Sequence, residues 1–176
     1  MCARYLCEFM IKCLLIQANS QKIFMKKENK QSDNEKYQCL KLDNQVCFSM
    51  YSAVNAIVRA YKPYLKKLDL TYPQYLIMMV LWDQDNVNIK TLTDLTRLDS
   101  GSLTPILKRL ESRNILKRMP SSQDERMKVI QLTDKGNALK EQAVSIQGNM
   151  LCKIDLPMES IHQLKQQCEQ IVDHLK

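Results

Sequence analysis

Between Cys47 and Leu68 the apolar positions Cys47, Met50, Tyr51, Val54, Ile57, Val58, Tyr61, Leu65 and Leu68 return every three or four residues. That spacing gathers side chains on one broad face of a long helix, with Asp43 and Asn44 just ahead of it as N-cap candidates. Thr71 and Pro73 open a second helix, and Tyr75 to Trp82 is apolar nearly all round, which predicts a central, buried element. Ile89, Leu92, Leu95 and Leu98 mark a short third helix. A fourth runs from Asp99 to Arg113, its front built of Ser100, Gly101 and Ser102 and one face of Leu103, Ile106, Leu107 and Leu110. The pattern then shortens: Ile115 to Met119 and Val129 to Leu132 read as strands, separated by a turn at Pro120-Ser-Ser-Gln-Asp124. Thr133 caps a helix from Asp134 through about Ile146 that weakens at Gly148. The last helix begins near Pro157, where Ile161, Leu164, Cys168, Ile171 and Leu175 form a coiled-coil-like seam. Such a seam at a chain end calls for cover, from a second copy, from the chain's own first helix, or from both.

Residues 1 to 40 read differently. Leu6, Phe9, Met10, Cys13 and Leu14 fit a short amphipathic helix, and the lysine-rich polar segment after Met25 predicts an N-terminal extension with little fixed order. Met25, directly before Lys26 and Lys27, is an alternative candidate for a translation start. The domain proper is expected over 41–176.

Helix, short linker, basic helix, hairpin is the order of a winged helix-turn-helix. The predicted fold class is therefore mainly α with a small β-hairpin wing. On the fourth helix Ser100, Ser102 and Thr104 stand near the start and Lys108, Arg109 and Arg113 further along. Hydroxyls and cations so placed suit a helix lying in a major groove, although a plain amphipathic surface helix has the same pattern. At the hairpin tip, Asp124-Glu-Arg-Met-Lys128 puts Arg126 where a wing meets a minor groove, with Asp124 to orient it by a charge-assisted hydrogen bond. Residues 88 to 132 carry nine Lys or Arg against five Asp or Glu, so the basic excess falls on this module.

The whole chain of 176 residues has a net charge of +7 and a pI near 9.0, which favours acidic partners such as nucleic acid. Seven cysteines would point to disulfides only behind a signal peptide. Arg4, Glu8 and Lys12 interrupt the opening apolar stretch, so no leader is expected and no run is long enough to span a bilayer. A reducing cytoplasm is expected, with no membrane partner. Cys2, Cys7 and Cys13 lack the paired spacing of a zinc site, and neither a metal nor a cofactor is expected.

Leu42-Asp-Asn-Gln-Val-Cys-Phe48, Leu70-Thr-Tyr-Pro-Gln-Tyr-Leu76, Leu98-Asp-Ser-Gly-Ser-Leu-Thr-Pro105, Leu107-Lys-Arg-Leu-Glu111, and Asp124-Glu-Arg126 followed by Leu132-Thr133 resemble the MarR family. Within it they resemble the OhrR branch of organic-hydroperoxide-sensing repressors, over roughly residues 40 to 175. The resemblance implies a winged helix-turn-helix at about 72–132 and dimerisation helices at about 43–69 and 133–175. It further implies a homodimer on a palindromic double-stranded operator. It makes Cys47 the peroxide-reactive residue, with Tyr61 and Tyr72 at the positions whose phenols hydrogen-bond that sulfur, and Cys152 at the place of a resolving cysteine. Cys168 falls on the terminal seam, where packing is its expected role, and Cys39 lies in the lead-in; if no cysteine resolves, a small-molecule thiol must cap the sulfenate.

Chemistry agrees with that implication: a thiolate near a helix N-terminus is stabilised by the local positive potential and can pass to a sulfenic acid. On periodicity alone, an inert core cysteine is the favoured reading of Cys47, and the surrounding motif reverses that preference. The expected function is a repressor that releases its operator once an organic hydroperoxide oxidises Cys47. Two other regulatory readings stay open: a broader thiol-based redox or virulence regulator, and a ligand-gated repressor binding phenolic compounds in an apolar dimer crevice. A thiol peroxidase would turn over at Cys47, but the chain supplies a DNA-reading module and, Arg59 apart, no arginine for peroxide activation. An enzyme is not expected.

Overall fold

The computed structural model of the chain describes residues 36–120 and 128–175. The short helix expected around Leu6 to Leu14 and the hairpin tip with Asp124 and Arg126 lie outside the described residues. The chain divides into two compact units, Met1–Val54 and Asn55–Lys176.

In the described part of the first unit, two 3-10 turns, Gln38–Leu40 and Leu42–Asn44, precede helix α1 (Val46–Lys67). Asp43 and Asn44 are therefore not caps of α1: both belong to the second turn, one residue short of the helix boundary. The side-chain amide of Asn44 instead donates to the Gln38 carbonyl at 2.8 Å, and that of Gln45 donates to the Cys39 carbonyl. The turns satisfy their own backbone locally, as Lys41 N–H donates to Gln38 O and Gln45 N–H to Leu42 O.

The second unit holds the rest. Helix α2 (Tyr72–Asp83) has Thr71 as its N-cap and Pro73 in its first turn, and a capping box closes it, Gln74 Oε1 accepting from the Thr71 N–H at 2.9 Å. Strand β1 (Val87–Asn88) leads into α3 (Ile89–Thr96), where Asn88 accepts from the Thr91 N–H at 2.8 Å. Helix α4 (Ser100–Ser112) is followed by β2 (Leu116–Pro120), β3 (Lys128–Leu132), α5 (Asp134–Ile154) and α6 (Met158–His174). The sheet is antiparallel in the order β1-β3-β2, with Leu116 opposite Leu132 and Val87 opposite Ile130. Mostly helix with a small three-stranded wing sheet is the expected class; β1 was not anticipated, since two residues are too few to display an alternation.

Ile77, Met78, Leu92, Leu103, Leu107, Leu110, Ile115 and Ile130 have no exposed surface, so α2, α3, α4 and the sheet close on one core. Helix α5 joins that core through Ala143, Ile146 and Met150 and does not stop at Gly148. An interior glycine costs about 1 kcal/mol against alanine, less than the burial that flanks it. Gly136 is placed more tightly, because a Cβ there would stand 2.2 Å from the Ile115 carbonyl oxygen.

Five described residues adopt left-handed backbone, and none is glycine: Asp69, Asn86, Arg97, Asn114 and Asp155. Four are Asp or Asn, whose short polar side chains tolerate that region, and each sits where one element gives way to the next. Helix α6 buries none of its residues, with Leu164 and Leu175 exposed; in α1 Tyr51 and Val54 are exposed while Leu65 is buried.

Candidate DNA interface and redox site

Helix α4 is shaped for presentation. Its N-cap, Asp99, accepts from the Ser102 N–H at 2.8 Å and from the Ser102 hydroxyl at 2.6 Å. Those two bonds, the hydroxyl's first, hold the Asp99 carboxyl below its ordinary value. Leu103, Leu107 and Leu110 pin the inner face, leaving Ser102, Thr104, Lys108 and Arg109 exposed, and Ser100 is the first helical residue.

The two cations of α4 part company. Lys108 stands with Thr104 opposite the buried leucines, at helical spacing i and i+4. Arg109 instead lines, with Ser112 and Arg113, a groove of about 730 Å³ against α1 and α2. Across that groove stand Arg59, Lys62 and Lys66 of α1 and Tyr72 of α2, over a floor containing Leu65 and Leu70. Asp69 pairs with Arg113 at 2.8 Å. At the wing, Arg118 Nε of β2 lies 3.2 Å from Glu111 of α4, near enough for an ion pair though not aligned as a hydrogen bond.

Tyr61 and Tyr72 converge. Their rings lie 5.0 Å apart, centre to centre, at 49°, and Tyr61 continues onto Tyr75, and Tyr75 onto Trp82, at 6.0 and 6.1 Å. Burial pushes the phenol of Tyr61 up from its ordinary value, with Tyr72 and Tyr75 adding to it, and burial does the same for Tyr72. Both remain O–H donors at neutral pH, the form a thiolate needs as a hydrogen-bond partner.

Cys47 is the second residue of α1, exposed, and belongs to the first compact unit, whereas both tyrosines belong to the second. Cys152 is exposed in the last turn of α5, and Cys168 is half-buried on α6. Asp124 and Arg126 fall outside the described residues. Sequence reasoning did not single out Gln74 as a cap, the α1 cations that face Arg109, or Arg97 and Glu169, which form an ion pair. The Thr-x-x-Gln spacing was the available signal for the first; the others meet only in the fold. Among the described residues no cluster of His, Cys, Asp and Glu could hold a metal ion, and no helix is long and apolar enough to cross a membrane.

Residues 59–143 match the family described as transcriptional regulator SarA/Rot. The chain is 42% identical over 130 residues to the organic hydroperoxide resistance transcriptional regulator of Bacillus subtilis, spanning 74% of this chain and 88% of that one. It is also similar to solved structures of AbfR, a protein of Staphylococcus epidermidis. Reduced AbfR bound to DNA superposes with a TM-score of 0.66 at 31% identity, covering 81% of this chain and 99% of that one. Disulfide-formed AbfR gives 0.58 at 32%, covering 81% and 98%.

Proposed function

The chain belongs to the MarR family of winged-helix, DNA-binding transcriptional regulators, and from that premise we propose that it is a repressor switched by oxidation of Cys47. With Cys47 reduced, a homodimer acting in the cytoplasm holds a palindromic operator. Ser100, Ser102, Thr104 and Lys108 approach the major groove, Arg109 reaches it from the flank beside α1 and α2, and Arg126, oriented by Asp124, approaches the minor groove from the wing. An organic hydroperoxide then converts the Cys47 thiolate to a sulfenic acid, and the operator is released. Tyr61 and Tyr72 serve as phenol donors to the reactive sulfur. Exposed apolar residues on α6 and at its C-cap, Leu164 and Leu175 among them, offer a face for a second copy to cover.

The observation that carries this reading is the paired, protonated phenols of Tyr61 and Tyr72 in a chain that places an exposed cysteine in the first turn of α1. Operator binding by fluorescence anisotropy, with and without cumene hydroperoxide, tests it. Wild type should release DNA on oxidation and Cys47→Ser should not; release by the serine variant would sink the sensor assignment. The groove flanked by Arg59, Lys62 and Arg109 favours a second reading, a repressor gated by a phenolic carboxylate. That compound would then displace the operator equally from wild type and Cys47→Ser.

A further inference from the structure

We propose that Cys39 is the thiol that traps oxidised Cys47, closing a disulfide within one chain. The inference rests on Cys47 being the peroxide-reactive residue and adds its immediate reaction partner.

The two cysteines share the first compact unit and stand eight positions apart (47 minus 39). The intervening segment is folded back on itself. Gln45, the residue immediately before α1, clasps the Cys39 carbonyl with its side-chain amide, and Asn44 clasps the neighbouring Gln38 carbonyl. The Cys39 carbonyl is thereby tied to the N-terminal end of the helix whose second residue is Cys47. Both thiols are exposed, so peroxide can reach one and either can meet the other.

No residue from 36 to 54 is buried. Bringing the Cα atoms within the roughly 4.4 to 6.8 Å a disulfide requires therefore disturbs no core packing, only the 3-10 turns and the first turn of α1. Once the 3-10 turns open, a loop of about ten residues closes in roughly 10 to 100 ns, and so short a tether holds its partner at about millimolar effective concentration. Cys152 of another subunit lacks such a tether.

The chemistry balances. The Cys47 thiolate attacks the outer oxygen of an organic hydroperoxide; the O–O bond breaks, and the alkoxide leaves and takes a proton to become the alcohol. The Cys39 thiolate then attacks the sulfur of the Cys47 sulfenic acid; the S–O bond breaks and hydroxide leaves, protonated to water. Two thiols lose two electrons, and one hydroperoxide is reduced to an alcohol and water.

The test uses the full chain treated with cumene hydroperoxide, thiol-blocked, run on non-reducing electrophoresis and mapped by peptide mass spectrometry. Wild type and Cys152→Ser should both remain single-chain species carrying two fewer blocking groups than the reduced control, with Cys39 joined to Cys47. Cys39→Ser should instead accumulate a dimedone adduct on Cys47, the sulfenic acid surviving about 10²-fold longer. A Cys47–Cys152 covalent dimer as the main product, or an unchanged sulfenic-acid lifetime in Cys39→Ser, overturns the proposal while leaving Cys47 as sensor. Failure of dimedone to label Cys47 in every variant removes the sensor reading itself.

Discussion

Arg97, the left-handed residue that closes α3, donates from its guanidinium to the Glu169 carboxylate on α6, so the turn between two helices of the reading head is fastened to the terminal helix of the same chain. The hydrogen bond to Arg97 is the main reason the Glu169 carboxyl sits below its ordinary value, and the same bond raises Arg97.

Both side chains are about half exposed, so salt should screen the pair. Glu169→Gln is expected to lower the melting temperature slightly in dilute buffer and not at all near ~1 M salt, where the Debye length is about 3 Å. Because the folded carboxyl is the more acidic form, its contribution is present above the unfolded value near 4.5 and disappears as pH falls through the folded one. Melting curves of the two proteins at pH 7 and pH 3, each at two salt concentrations, check both statements.

Asp99 holds the start of α4 through Ser102. Asp99→Ala leaves those donors without a partner and should reduce both stability and operator affinity. Asp99→Asn keeps an acceptor and should retain most of each, since asparagine caps about as well. The aspartate contribution is lost as pH falls below 3.8 through the folded value, whereas the asparagine variant should show no such loss in acid unfolding.

Gly136→Ala sets a methyl 2.2 Å from the Ile115 carbonyl oxygen and 3.0 Å from Leu132. Backbone must give way at the start of α5, and the expected cost is about 2 to 3 kcal/mol despite alanine's better helix propensity. Chemical denaturation at constant m-value measures it. A neutral result would mean that α5 shifts freely against the sheet.

The phenols of Tyr61 and Tyr72 ionise at higher pH in the folded chain than in the unfolded one. Stability from this source is complete below pH 10, the unfolded value, and declines as pH rises toward the folded value. Tyr61→Phe should flatten the alkaline fall in melting temperature, and phenolate absorbance should then track fewer late-titrating groups.

Lys108 and Arg109 should differ in DNA binding. Lys108→Ala is expected to reduce the slope of log affinity against log salt by about 1, the signature of one lost phosphate contact. Arg109→Ala should change that slope less, because its side chain borders the groove beside α1 and α2. Equal losses would place both flanks of α4 against phosphate.

The helices and their faces were legible because burial repeats at helical period: Leu103, Leu107 and Leu110, chosen from spacing, have no exposed surface. Ends were harder. Asn44 looked like a cap because cap and turn residues are the same residues, and only the hydrogen bond to Gln38 separates the two roles. Gly148 looked like a stop because one glycine weakens a local pattern that tertiary packing then overrides. Long-range pairings such as Arg97 with Glu169, 72 positions apart, leave no trace in local spacing. Tyr61 and Tyr72 entered through resemblance and not through periodicity, since both fit an ordinary apolar face, and their 5.0 Å ring approach appears only in the fold.

The single tryptophan of the chain, Trp82, donates its indole N–H to the Gly136 carbonyl at 3.0 Å, while Lys140 of α5 reaches back to the Trp82 carbonyl at 2.7 Å. The protein therefore carries an intrinsic optical reporter at the joint between α2 and α5, with no competing indole elsewhere. Its emission colour and quenching report whether that joint opens when peroxide or operator is added, without a label.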